Sequence, residues 1–335
     1  MNTAARLLAA IDGWQGRRVL VVGDLVADEN VVGRPLAVAR EAPVLVLEHL
    51  RREVLPGGAT NPAANARALG AEVEMCGVTG DDETGRALTH DLAGRGIGIE
   101  GVVIDPQRPT TTKTRIWAGG AQQQIQQLVL RLDRVERSAV ASGVTKRLAA
   151  FVAGEAPRVD ALILSDYENG VIHPTLIAAC LEPARRLGRT VTVDAHGDLQ
   201  RFQGATLFTP NQPEAEAALG RALDSPAALE RGGAELLERL AARAVLVTRG
   251  QEGMSLFQTG EAPRHVPIYD TNAVDPTGAG DTVAAAFTLA VVAGASLGDA
   301  MTLANLAASI VVTRVGTAVV TADELRHAVR ALVYD

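Results

Sequence analysis

Asp275-Pro276-Thr277-Gly278-Ala279-Gly280-Asp281-Thr282 is the stretch that decides how this chain is read. Residues 278–280 are three small residues set directly before an acid, and the sequence predicts a long helix opening at Thr282. Small residues let backbone N–H groups converge on an anion, and the positive end of a helix dipole adds to that field. A carboxylate beside such a cradle would repel a ligand that was merely bound there. It makes sense as a base that takes a proton from a hydroxyl while the cradle neutralises a transferring phosphoryl group. The plainer alternative is a glycine turn capped by Asp281.

Outward from this segment, short apolar runs alternate with helical stretches. Residues 18–22, 72–77, 101–104, 161–165, 190–194, 207–210 and 244–248 read as strands, with helices at 61–69 and 85–95 and further helical stretches between the later strands. Such alternation predicts a parallel sheet covered by helices on both faces, an α/β fold. Residues 44–49 and 51–55 read as one pair of strands, and 112–117 and 127–132 as another joined by a Gly- and Gln-rich loop at 118–126. These break the alternation and are expected to form a small β lid, with segments at about 30–55 and 110–132. The 335 residues then suit a single domain, 1–335, carrying that lid.

Composition narrows the function. The net charge is −7 and no basic cluster interleaves with aromatics, which argues against nucleic acid as a partner. Lys113 and Lys146 are the only lysines. The two cysteines, Cys76 and Cys180, sit in apolar surroundings and suit a reduced, cytoplasmic protein. The start of the chain reads as a short helix without the features of a secretory signal, and the apolar run 283–295 is too short to span a bilayer, so no membrane partner is expected.

Polar residues gather where the strands should end: Asp24, Asp166, Asp194, Asn211 and Arg249. Open parallel sheets bind ligands there, although each of these residues also suits a turn or a cap. Gly96-Ile97-Gly98-Ile99-Glu100-Gly101 has a dinucleotide-type spacing, but it follows a helix and precedes a strand, the wrong order, and is read as a loop. Neither lysine follows a glycine, so P-loop chemistry is excluded. Asn211-Gln212-Pro213-Glu214 reads either as a capping box or as a pair that orders water around Mg²⁺. Gly57-Gly58-Ala59-Thr60-Asn61 reads either as a turn into a helix or as a close backbone approach to a polyhydroxylated ligand.

Taken together, these motifs resemble the ribokinase-like (pfkB) carbohydrate kinase family from Val19 to about Leu325. The Gly57-Gly58 turn with Asn61 is similar to its N-terminal signature, Asn211–Glu214 to its Asn-x-x-Glu motif, and Asp275–Asp281 to its C-terminal signature. Within the family, the stretches 21–24, 41–44, 78–83, 164–167 and 204–211 resemble kinases of D-glycero-β-D-manno-heptose 7-phosphate. The chain departs from that subgroup at Glu29-Asn30, at 36–40 and at Ala195-His196-Gly197, where the subgroup carries Arg-Tyr, Ser-Arg-Ile-Ser-Pro and Pro-Lys-Gly. Some heptose kinases carry a nucleotidyltransferase domain on the same chain, for which no room is expected after Asp335.

The resemblance implies a three-layer α/β/α sandwich with a β lid, and transfer of the γ-phosphoryl group of ATP to a sugar hydroxyl. Asp281 would be the base, and Gly278, Ala279 and Gly280 the anion hole. Asp24, Asp28, Gly57, Gly58, Asn61, Asn65 and Asp166 would line the sugar site. Lys113 and Arg115 would reach a charged part of the substrate from the lid, or else are solvated strand charges. Asn211, Thr248, Arg249, Gly250, Gly280 and Asn305 would hold the nucleotide, Asn211 and Glu214 hydrated Mg²⁺, and Asp275 and Thr277 a monovalent cation such as K⁺. Exposed lid edges suggest a homodimer through the lid. A kinase for another sugar, sugar phosphate or nucleoside, and a non-catalytic sugar or nucleotide sensor, remain as alternatives.

Overall fold

The computed structural model describes residues 2–119, 127–269 and 272–332. In chain order the strands are β1 (Arg18–Gly23), β2 (Leu25–Val38), β3 (Leu45–Gly58), β4 (Glu72–Gly80), β5 (Gly98–Asp105), β6 (Thr111–Ala118), β7 (Gln127–Arg134), β8 (Ala161–Asp166), β9 (Thr190–Ala195), β10 (Leu207–Phe208), β11 (Ala244–Thr248), β12 (Met254–Gln258) and β13 (Arg264–Val266). The helices are α1 (Thr3–Asp12), α2 (Thr60–Ala68), α3 (Glu83–Gly94), α4 (Ser142–Glu155), α5 (Pro174–Leu187), α6 (Gln212–Leu219), α7 (Pro226–Arg239), α8 (Ala279–Val292), α9 (Leu297–Val311) and α10 (Ala322–Ala331).

Nine strands form one sheet in the order β13-β12-β11-β10-β9-β8-β1-β4-β5. From β5 to β11 every pairing is parallel, and β12 and β13 add an antiparallel edge. A parallel sheet is buried on both faces, so its strands are apolar throughout. Alternation along β1 shows the consequence. Val19 and Val21 join a core with Ala63, Leu88, Phe287 and Leu303, whereas Leu20 and Val22 join a second core with Leu148, Leu176, Phe202 and Leu236. The result is the expected α/β/α sandwich. The chain leaves β1 toward β4 on one side and later returns to β8 on the other. The carboxyl ends of β1 and β8 therefore flank a topological switch point, where such sheets open a crevice.

The lid springs directly from that point, because β2 starts two residues after β1 ends. It is a four-stranded sheet, β3-β2-β6-β7, with β2 parallel to β6 and the other pairs antiparallel. One expectation needs correction. Residues 44–49 and 51–55 are not a strand pair: from Leu45 on they are parts of the single long strand β3, whose partner is β2. The break read at Leu50 is a β-bulge: Val32 faces Arg51 and Gly33 faces His49, so Leu50 has no opposite residue. A bulge bends a strand without ending it. Two further corrections concern glycines. Strand β5 begins at Gly98, earlier than expected, with a register shift opposite Glu74 and Cys76. Helix α8 begins at Ala279 rather than Thr282, which draws Gly280 and Asp281 into its first turn. The expected loop at 118–126 lies, from residue 120 onward, outside the described residues.

Candidate active site

Gly278 caps α8 with φ +80°, a left-handed conformation that L-residues with side chains rarely adopt. A Cβ there would also fall 2.5 Å from Nδ2 of Asn61. The turn aims the start of α8 outward. Ala279 N–H folds back to the Pro276 carbonyl at 3.2 Å, while among the described residues the N–H groups of Gly278 and Gly280 meet no backbone carbonyl. Such orphan donors at a helix start form an anion site. A Cβ on Gly280 would meet nothing within 4 Å, so the space above this residue is open.

Asp281, one residue further on, is 5% exposed. Its two carboxylate oxygens accept separate hydrogen bonds: Oδ2 from Asn61 Nδ2 on α2 at 2.7 Å, and Oδ1 from the Tyr167 hydroxyl at 3.0 Å. Burial pushes the Asp281 carboxyl up to about 6, and nearby Asp28 adds to the rise, against the two hydrogen bonds and His196, which oppose it. A carboxylate lifted into this range suits a general base near neutral pH.

The sequence-predicted sugar side divides. Asp28 on the lid strand β2 is buried and receives Arg115 Nη1 from β6 at 2.6 Å. Gly57 makes room for it, since a Cβ would lie 2.6 Å from Asp28 Oδ2. Arg115 is thus an ion-pair partner rather than a free cation. Lys113, two residues earlier on β6, places Nζ 5.0 Å from the centre of the Tyr167 ring, within cation–π range. Gly58 pairs with Leu25 where lid and sheet meet.

Three of the expected sugar ligands have their polar atoms engaged elsewhere. The Asp24 carboxylate accepts N–H bonds from Tyr167, Asn169 and Val171 at 2.8–3.2 Å, holding the loop after β8. Asp166 pairs with Arg201 at 2.9 Å and caps Glu168 N–H. Burial lifts its carboxyl to about 6, with Asp24 adding to the rise and Arg201 opposing it. Asn65 donates to the Asn61 carbonyl and Oδ1, and accepts from the Thr282 hydroxyl and Val320 N–H. These are buried supports for the site.

On the other side of Gly280 lies a cavity of about 500 Å³, lined by Thr248, Gly250, Tyr269, Gly280, Asn305 and Val312 among others. Its size suits a nucleotide-sized ligand. Asn305 lines it and fixes its rim by donating to the Pro267 carbonyl at 2.7 Å. The Arg249 guanidinium turns away, to Ser255 and Glu252. Asn211 and Glu214 form both arms of a capping box on α6. That box uses Glu214 Oε2, while Oε1 meets Nδ1 of His196 at 2.5 Å. The Glu214 contact raises His196 above the usual histidine range. Asp275 accepts from Thr277 N–H and hydroxyl and from Gly316 N–H; burial works against ionisation, but these bonds hold its carboxyl below the ordinary value.

Sequence reasoning gave no role to Tyr167 and His196, whose rings meet edge-on at 4.6 Å between Asp281 and Glu214. The available signal was position: each follows the last residues of a strand at the ligand-binding end of the sheet.

A family model described as pfkB family carbohydrate kinase matches residues 17–324. The chain belongs to the pfkB family. Its similarity to curated members includes the bifunctional protein HldE of Geobacter metallireducens, 43% identical over 307 residues, 91% of this chain and 61% of that one. HldE of Caulobacter sp. is 42% identical over 326 residues, 97% of this chain and 64% of the relative. This pfkB chain therefore spans about three fifths of the length of the curated relatives it matches. Among solved structures, phosphofructokinase-2 of Escherichia coli in complex with potassium superposes with a TM-score of 0.77 at 20% identity, over 95% of this chain and 100% of that one. Arabidopsis thaliana ribokinase with ribose and ATP gives 0.72 at 21%, over 94% and 99%. These two establish the ribokinase-like fold. The chain is a carbohydrate kinase, with family membership and the site's geometry pointing the same way.

Proposed function

We propose that the chain transfers the γ-phosphoryl group of ATP to a hydroxyl of D-glycero-β-D-manno-heptose 7-phosphate, giving the 1,7-bisphosphate. The observation that carries phosphoryl transfer is the placement of Asp281. It lies in the first turn of α8, one residue from an open anion cradle that borders a nucleotide-sized cavity, and it faces the lid-covered crevice holding Asp28. Positioning and charge stabilisation suffice for this chemistry. Asp281 takes the proton of the acceptor hydroxyl, and the N–H groups of Gly278 and Gly280 receive the charge of the phosphoryl oxygens, the expected third donor, Ala279, being bonded to the Pro276 carbonyl. The heptose substrate rests on relatives near 40% identity and on the stretches quoted above.

Among the described residues no three His, Cys, Asp or Glu side chains converge to cage a metal. Mg²⁺ keeps several waters and is bound mainly through phosphates, and the Glu214 carboxylate, with one contact on each oxygen, would reach it through water. When bound, Mg²⁺ neutralises phosphate charge. A monovalent cation fits the loop at Asp275 and Thr277. There the ionised carboxylate lies in the loop that leads to Gly278, and the buried Thr317 hydroxyl near Gly278 has no partner among the described residues. Lys113 would meet a charged part of the sugar. We also read residues 1–335 as one cytoplasmic kinase unit that pairs through its lid. Leu36, Val38, Leu130 and Leu132 of the lid sheet are each more than half exposed, which supports such an interface.

The test is ADP release with heptose 7-phosphate, unphosphorylated heptose, ribose and fructose 6-phosphate, run alongside Asp281→Asn. Turnover confined to heptose 7-phosphate and lost in the variant is expected. Fast turnover of an unphosphorylated sugar, with none of heptose 7-phosphate, removes this substrate.

A further inference from the structure

We infer that Tyr167 is a positioning residue for the phosphoryl-transfer step, its hydroxyl fixing Oδ1 of Asp281 so that the base meets the acceptor hydroxyl ionised and in one orientation. The inference rests on the kinase reading of Asp281. Its own basis is geometric. The carboxylate is gripped from two walls, by Asn61 from α2 and by Tyr167 from the loop after β8. With one donor on each oxygen, the plane of the carboxylate is set and a lone pair remains on each oxygen for substrate.

Tyr167 is itself held from every side. Its N–H is bonded to Asp24 at 2.8 Å, and the next two bonds to Asp24 come from residues 169 and 171 of the same loop. Its ring is flanked by His196 and capped by Lys113 from the lid. The backbone bond, the ring contact and the cation together fix where the hydroxyl sits. Burial and the adjacent Asp281 raise the phenol well above its ordinary value, so it stays a proton donor throughout the working range.

The charged groups around Asp281 set the sign of the effect. Asp28 faces it from β2, with Arg115 paired to that acid and Lys113 beside it on β6. Asp194 at the end of β9 and His196 just after it face it from below, with Glu214 of α6 behind His196. Burial and Asp28 favour the neutral acid; the Asn61 and Tyr167 bonds favour the carboxylate. Removing the phenol leaves the former less opposed, so the base becomes harder to ionise.

Tyr167→Phe keeps the ring, and with it the contacts to His196 and Lys113. The expected result is a kcat lower by about 10- to 100-fold with little change in KM for ATP. The acid limb of the kcat–pH profile should move up by about one unit, the size of one hydrogen bond to a charged group. In parallel, the carboxyl ¹³C resonance of Asp281, assigned by its loss in Asp281→Asn, reads the same titration without any turnover. A ¹³C titration and an acid limb both unmoved in Tyr167→Phe would overturn the inference, whatever the rate. If the wild-type chain turned over no sugar at all, the kinase reading would fail. The ¹³C titration would still decide the role of Tyr167.

Discussion

Gly280→Ala separates the stability of this fold from its proposed chemistry. Gly280 sits in the first turn of α8 without a left-handed conformation, and a Cβ built on it meets no protein atom within 4 Å. Inside the protein, then, the methyl costs nothing. In the unfolded chain it removes backbone freedom, which is worth about 0.4–1 kcal/mol of added stability. With an unfolding entropy of about 2.1 cal/mol/K per residue, 335 residues give about 0.7 kcal/mol/K. The expected rise in Tm is therefore only about 1 °C. The same methyl projects into the open space over the cradle, where the proposed transfer brings a phosphoryl oxygen to the N–H groups of Gly278 and Gly280. Displacing a reacting group by about 1 Å costs on the order of 100-fold in rate. The assay is differential scanning calorimetry beside steady-state kinetics with ATP varied. An unchanged or slightly raised Tm with kcat/KM down by about 10- to 100-fold is expected. Wild-type kinetics in Gly280→Ala would refute the cradle. Gly278→Ala is the contrast: φ +80° and the approach to Asn61 predict lost stability of about 1–3 kcal/mol together with lost activity.

Asp281→Asn should abolish turnover while raising Tm at pH 8. The folded-state carboxyl is lifted from 3.8 to about 6, so its ionisation destabilises the fold at higher pH. That cost, on the order of 2–3 kcal/mol, is absent below about pH 4 and complete above about pH 6. The stability advantage of the variant should vanish across that window in thermal melts. Arg201→Met leaves Asp166 buried without its cation, and should cost about 3 kcal/mol at pH 8. The loss should shrink as pH falls and Asp166 protonates, which urea titrations at pH 8 and pH 5 would measure. Leu130→Glu on β7 places a charge on the exposed lid face, and sedimentation should report a monomer with secondary structure intact.

The helix start at Gly278–Asp281 was legible because its geometry is local. Three small residues before an acid specify a helix start, where among the described residues the N–H groups of Gly278 and Gly280 stay free and that of Ala279 turns back to Pro276. The helix boundary was placed three residues late because Gly278 is the cap, and a left-handed cap looks like a loop in sequence. The parallel sheet was legible from apolar runs at regular intervals. Leu50 misled because a bulge and a turn both interrupt strand periodicity, and only the opposite strand tells them apart. Asp24 and Asp166 were read as ligands because strand ends collect polar residues for two purposes, and Asn65, on helix α2, because of the family resemblance. Which purpose applies depends on partners such as Val320 and Arg201, distant in sequence. Tyr167 went unassigned for the same reason: its partner Asp281 lies 114 residues away.

The three backbone bonds to Asp24 carry a mechanical consequence. They rivet the loop of residues 167–171 to the end of β1, at the root from which the lid departs. The floor of the crevice is thereby tied to the main sheet at the same residue from which the lid strand β2 departs. Lys113 reaches from the lid to the ring of Tyr167 on that anchored loop, so lid and floor meet through one cation–π contact there. On the proposed kinase reading, a sugar thick enough to part Lys113 from the Tyr167 ring would loosen the phenol that orients Asp281, which ties the base to the thickness of what lies in the crevice.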